Sequence, residues 1–163
     1  MARNEFYERL TSYLQTDERR LYRLAYSYAG NEPDALDILQ SAMVKALTAR
    51  PMREPQFLRT WVYRIVVNTA IDWLRARKRL VPADDEYLEG LAGHEDPPGD
   101  VDLQRALGRL PTDYRTVVVL RYFEELKLQE IAEITALNLN TVKTRLYRAL
   151  QLLRVEMEAE END

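Results

Sequence analysis

Residues 138–154, NLNTVKTRLYRALQLLR, hold four basic side chains and no acid in a chain of formal net charge −4. At helical spacing, Val142, Leu146, Ala149, Leu150 and Leu153 form an apolar stripe. Thr141, Lys143, Thr144, Arg145, Tyr147, Arg148 and Arg154 lie largely elsewhere on the wheel. Such a face is suited to recognition rather than to bond making. Ammonium and guanidinium groups bind phosphates, and an arginine fork can pair with a guanine edge. A basic face that is simply solvated has the same pattern.

What precedes this stretch narrows the choice. LQEIAEIT reads as a short helix, Ala136-Leu137-Asn138 as a turn, and the basic helix follows. Two helices joined by about three residues, the second basic and amphipathic, make a helix-turn-helix. That motif lays its second helix in the major groove with N-terminal residues at the base edges. Asn138 or Asn140 can cap the helix, whose positive dipole end then suits a phosphate. Thr141 and Arg145 are placed for backbone contacts. Lys143, Thr144, Tyr147 and Arg148 point away from the apolar stripe, where base readout needs them.

The chain has 163 residues, enough for one ordinary domain or two small ones, with 46% apolar and 31% charged residues. It has no cysteine, which excludes a disulfide framework and a thiolate metal site. MARNEFYERL lacks the apolar region of a signal peptide, and no apolar run approaches a membrane span, so a cytoplasmic protein is expected. The net charge conceals a division. Residues 81–102 hold eight acids and no Lys or Arg, and the last eight residues add five acids. Without those segments, 14 acids face 23 bases, a net of +9. The parts expected to fold are basic, and the acid lies in a linker and a tail.

Gly and Pro mark the same division, with Pro82, Gly90, Gly93, Pro97, Pro98 and Gly99 inside 18 residues. The expected architecture is all-α: two small helical domains, residues 1–79 and 103–163, joined by a flexible acidic linker at 80–102. In the first domain, NEFYERLTSYLQ and DERRLYRLAYSYA read as helices, with Gly30 as a left-handed stop. Asn31 is an N-cap ahead of Pro33 and Asp34. The next helix buries Ala35, Ile38, Leu39, Ala42, Met43 and Ala46 and ends at Arg50-Pro51. PQFLRTWVYRIVVNTAIDWLRARKR then makes a helix of about 37 Å. In the second domain, three consecutive valines would suit a strand. The stripe Tyr114, Val117, Val118, Arg121 and Tyr122 has helical spacing instead.

Two quoted stretches carry a resemblance. LPTDYRTVVVLRYFEELKLQEIAEITALNLNTVKTRLYRALQLLR resembles region 4 of sigma factors, which binds the promoter −35 element. FLRTWVYRIVVNTAIDWLRARKR, preceded by LYRLAYSYAGNEPDALDILQSAMVKAL, resembles their region 2. Both in this order, with no domain between, are similar to an extracytoplasmic-function (ECF) sigma factor of the sigma-70 family. EELKLQEIAEIT and NTVKTRLYRAL look closest to the sigma-V type, a subgroup involved in cell-envelope stress.

The resemblance implies roles for residues that spacing alone leaves open. Asp37 and Gln40 match polar positions of the helix that docks on the β′ clamp helices of core RNA polymerase, the β subunit being a further contact. Read without the family, they are acids and amides on an exposed helix. Asn68 matches the position that reads the unpaired −10 element, with Arg64, Asp72 and Arg75 on nearby turns. Arg75 to Arg79 can bind phosphates. Of the two tryptophans, Trp61 is spaced for the core, whereas Trp73 could equally stack on a base. The chain departs from the family pattern at Ala136, where Gly is usual in the turn, at Lys127, where Ser or Thr often caps, and at Asn140 for Gly. An anti-sigma partner, expected at the membrane, is also implied, and no residue here identifies it.

The linker passes a test of reach. Residues 80–102 extend to about 75–83 Å at most, and elements two helical turns apart on DNA are separated by ~70 Å. Other classes fit less well, a purely structural helical adaptor least of all. A stand-alone helix-turn-helix regulator would need a dimer and leaves the first domain unexplained. A metal-dependent nucleotide hydrolase could use Asp34 and Asp37, but the one histidine, His94, falls in the linker and no P-loop or paired metal-ligand motif occurs. No catalytic residue, metal, cofactor or small-molecule substrate is expected.

Overall fold

The computed structural model describes residues 3–80 and 101–161. Every element among them is helical. The first half comprises α1 (Arg3–Thr16), α2 (Glu18–Ala29), α3 (Glu32–Thr48) and α4 (Leu58–Leu80), the last entered through a 3-10 turn at Pro55–Phe57. The second comprises α5 (Val101–Arg109), α6 (Thr112–Val118), a π turn (Val119–Phe123), α7 (Leu128–Thr135) and α8 (Leu139–Glu161). The linker expected at 80–102 lies outside the described residues, except for Leu80 at the end of α4 and Val101 and Asp102 at the start of α5.

Local chemistry sets most helix ends. Gly30 stops α2 at φ 78°, its N–H reaching the Tyr26 carbonyl at 2.9 Å. Asn31 caps α3, its Oδ1 accepting the Asp34 N–H at 3.0 Å. The helix ends at Thr48, just short of Arg50-Pro51. Lys127 has no acceptor to offer α7. Glu130 compensates by accepting the Lys127 N–H at 3.0 Å, the reciprocal half of a capping box. The acidic tail is not separate from the fold: α8 continues to Glu161. Arg109–Glu156 at 3.2 Å and the i,i+4 pair Arg154–Glu158 at 3.1 Å lie along it.

Packing joins the halves. In the first, α2, α3 and α4 pack on one another, and α1 adds Phe6 and Leu10 to their core. Trp61 stands edge-on to Phe6 at 5.7 Å, on the core side as its spacing implies. In the second, α8 packs on α5, α6 and α7. One continuous buried cluster then runs from Phe6 to Ala149, with α4 against α7 and α2 against α5. Polar groups follow it: the Tyr28 and Thr116 hydroxyls share a buried hydrogen bond, and Arg115 Nη1 donates to the Ser27 carbonyl at 3.4 Å. The same guanidinium donates to the Gly108 carbonyl at 2.8 Å, tying α5 to the seam.

The valine run shows why one stripe could not describe it. Thr116 to Leu120 are all buried, five in succession: α6 packs on α8, and the Thr116 hydroxyl meets Tyr28 of the first half. Beyond them the π turn adds a residue per turn, with the Glu124 N–H bonded to the Val119 carbonyl at 3.0 Å. Tyr122, expected on the apolar stripe, is 54% exposed.

Ala136 ends α7 in the left-handed region, φ 58° and ψ 33°, where its Cβ is crowded. Ala136→Gly should therefore stabilise the full-length protein by about 1 kcal/mol, roughly 2–4 °C in melting temperature. A thermal melt followed by circular dichroism checks this, and a lowered midpoint would contradict it.

Candidate nucleic-acid interface

Helix α4 divides its residues by face. Val62, Tyr63, Val66, Val67, Thr69 and Ala70 are buried. Arg64, Asn68, Asp72 and Arg75 fall within an arc of about 80° at 100° per residue, and all four are exposed. The structure thus gathers the four residues proposed for the −10 element into one polar stripe two to three turns long. Rigidity comes from behind the stripe, where Thr69 Oγ1 donates to the Ile65 carbonyl at 2.7 Å and receives Lys45 Nζ at 3.1 Å.

The basic end of α4 is only partly free for phosphate. Arg77 Nη1 pairs with Asp34 Oδ2 at 2.8 Å, and its guanidinium lies 5.0 Å from the centre of the Trp73 ring. This half-buried pair binds the end of α4 to the start of α3, and it occupies one face of Trp73. Arg75, Lys78 and Arg79 stay exposed.

Helix α8 presents the second face. Asn138 Oδ1 accepts the Thr141 N–H at 2.8 Å, so Asn138 rather than Asn140 is the cap. Val142 and Ala149 are buried, and Leu146 and Leu153 are half-buried against the core. Leu150, expected on the same stripe, is 37% exposed. Lys143, Thr144, Tyr147 and Arg148 are all exposed. Thr141 and Arg145 are half-buried, and Arg145 Nη1 lies 3.7 Å from Asp113 Oδ2 on α6. The Thr144 hydroxyl donates to the Asn140 carbonyl at 3.0 Å, leaving its methyl and oxygen lone pairs outward.

A third surface lies on α3. Asp37 and Gln40 are exposed there, among Leu36, Val44 and Leu47 at 39%, 60% and 43% exposure. An apolar strip of this kind on a folded surface marks a contact site more often than chance exposure does. Reading the helix by its buried stripe alone misses these three residues. Their signal was present as apolar residues at i, i+8 and i+11, off that stripe.

Against this geometry the comparisons with known proteins are specific. The family model described as Sigma-70 region 2 matches residues 14–80, and that described as Sigma-70, region 4 matches residues 100–153. The two long helices with exposed polar faces thus lie in the two regions that define a sigma factor. The chain is 51% identical over 149 residues to RNA polymerase sigma factor SigV of Bacillus subtilis (strain 168), covering 90% of each. It is 35% identical to the ECF RNA polymerase sigma factor SigW of the same organism, over 85% of this chain and 83% of that one. This chain belongs to the ECF sigma factors of the sigma-70 family.

Solved structures agree in fold. CnrH, in complex with the cytosolic domain of CnrY, superposes with a TM-score of 0.69 at 25% identity, over 92% of this chain and 88% of that one. The sigma factor RpoE from Bartonella quintana, in complex with the anti-sigma factor NepR, gives 0.70 over 91% and 96%, at 22% identity.

Since Asn138 alone satisfies the first turn of the exposed helix α8 by a side chain, its loss should be felt directly. Asn138→Ala should cost about 1 kcal/mol of stability, and Asn138→Asp should retain most of it. Urea denaturation of the three proteins measures the difference, and an Ala variant as stable as the parent would exclude Asn138 as the cap.

Proposed function

We propose that this chain is a dissociable initiation subunit of RNA polymerase that brings the core enzyme to promoters of an envelope-stress response. Residues 1–79 act as the core- and −10-binding domain, 80–102 as an acidic connector, and 103–163 as the −35-binding domain. The observation that carries this reading is the pair of exposed polar faces, Arg64/Asn68/Asp72/Arg75 and Lys143/Thr144/Tyr147/Arg148, each backed by a buried apolar face. A rigid helix with one wet, polar side is what readout of base edges needs.

In this reading, Lys143, Thr144, Tyr147 and Arg148 meet bases of the −35 element in the major groove, while Thr141 and Arg145 hold the adjoining backbone. Asn68 pairs with an exposed base edge of the melted −10 element, and Arg64, Asp72 and Arg75 complete the site. Asp37 and Gln40, with the apolar strip beside them, dock on the β′ clamp helices. The subunit itself makes and breaks no covalent bond, since nucleotide addition is the work of the polymerase. It acts in the cytoplasm; among the described residues no helix is long and apolar enough to cross a membrane. An anti-sigma factor holds it in check, by likeness to CnrH and RpoE, whose structures contain CnrY and NepR.

Run-off transcription with core polymerase tests the whole reading: specific initiation should require both proteins. Tight, sequence-specific duplex binding by the free chain at physiological salt would instead indicate a stand-alone regulator. The two surfaces are separated by single variants. Arg148→Ala should cost about 1–3 kcal/mol, in a manner that depends on the −35 sequence. Asn68→Ala should alter −10 preference and slow opening, and the double variant should be nearly additive. Libraries randomised at each element read these effects, and an exchange of the two specificities would refute the placement.

A further inference from the structure

The seam between the halves holds a cluster of buried polar groups that the packing leaves incompletely bonded, among them the Glu124 carboxylate, the Tyr63 hydroxyl and Arg59 Nε. Glu124 follows the π turn, four residues beyond Leu120 and seven beyond Val117, on the side those buried residues mark. Its side chain is 2% exposed, and neither carboxylate oxygen has a hydrogen-bond partner. The first half supplies its surroundings. Arg20 and Arg23 on α2, Arg59 and Tyr63 on α4, and Asp17 ahead of α2 all act on it electrostatically. Tyr13 of α1 belongs to the same group through Asp17, Tyr63 and Arg59. None of the arginines bonds to the carboxylate. Arg59 Nη2 instead reaches the Glu124 carbonyl at 3.5 Å, and its guanidinium lies 5.4 Å from the centre of the Tyr63 ring.

The packed arrangement cannot serve a promoter as it stands. Helix α8 packs on α7, and α7 on α4, so two interhelix steps, roughly 20 Å, separate the reading helices. Elements two helical turns apart on DNA need ~70 Å. The halves must part, and residues 81–100 reach about 66–72 Å at full extension.

We propose that Glu124 is a release element: its carboxylate, stripped of water and left without hydrogen bonds when the halves close, holds the seam at the edge of stability so that the protein opens readily. A buried carboxylate without partners costs free energy that is recovered when opening returns it to water. The electrostatic balance agrees in sign. Burial, the largest influence, raises the Glu124 carboxyl above the usual carboxylate range, and Arg23, Arg20 and Arg59 only partly offset it, while Asp17 adds to it. The Tyr63 phenol is likewise pushed up to about 12, by burial first and by Glu124 second. A proton is therefore bound more tightly in the closed form. Closure is favoured in acid and weakens as pH rises from the ordinary carboxylate range through the raised value, by up to about tenfold per pH unit.

The test needs neither polymerase nor promoter, so it stands apart from the transcription assays. The chain has no cysteine, so cysteines introduced at the exposed positions Glu8 and Gln151 accept a fluorophore pair specifically. Single-molecule energy transfer on the full-length protein then gives the ratio of compact to extended molecules between about pH 5 and about pH 8. The ratio should fall with pH in the parent. In Glu124→Gln it should be flat, and at about pH 8 at least about fivefold above the parent. Arg23→Gln, which removes one offsetting charge, should lower it further. A parent profile as flat as that of Glu124→Gln overturns the proposal, as does a Gln variant that is more extended than the parent. If Glu124→Gln fails to fold, Arg23→Gln decides: a rise in its compact fraction is equally fatal.

Discussion

Helix α4 has to bury one side against both halves of the molecule while its other side stays in water. Val62, Tyr63, Val66, Val67 and Ala70 fill the space between α2, α3 and α7, and each such side chain contributes on the order of 1–3 kcal/mol when fully buried. That packing leaves α4 no freedom to rotate, which is why the stripe from Arg64 to Arg75 faces outward as a unit. The recognition face of α8 follows from the same constraint at one remove. Val142 and Ala149 hold α8 to the helices that rest on α4, and the basic residues take the directions that remain.

The polar chemistry at the margins adjusts this frame. Arg77 has a sequence position that suggests phosphate binding, yet Asp34 and Trp73 engage it within the protein. Half-buried pairs of this kind contribute little net stability, but they fix where a helix end lies. Arg145 has a similar relation to Asp113, at 3.7 Å, and so steadies α8 against α6 from the side away from the exposed row. A side chain tied in this way positions its helix, whether or not it also touches a ligand.

The seam is held differently from either core. Its apolar residues belong to the same continuous cluster, and Tyr28, Thr116 and Arg115 satisfy one another or nearby backbone groups. Among the described residues the Glu124 carboxylate has no bonded partner, nor do the Tyr63 hydroxyl and Arg59 Nε beside it. Glu124 lies four residues beyond Leu120 and seven beyond Val117, on the buried side of the run, whereas Tyr122 and Phe123 between them are exposed.

Features that depend on neighbours in the chain were legible in the residues themselves. Gly30 as a left-handed stop, Asn31 as a cap, a cap at Asn138 or Asn140 and the polar face of α8 all rest on interactions within about one helical turn. Ala136 stood out only against the Gly usual in the family, and its left-handed φ of 58° came from the structure. What only the tertiary structure decided were the matters in which two distant segments compete for one surface. The burial of five residues from Thr116 to Leu120 and the exposure of Leu150 cannot be read from a single periodicity. A helical wheel assumes one buried side. Helices that meet neighbours on two sides, or none, depart from it, because burial is settled by which other helix arrives and not by the spacing of a helix's own side chains.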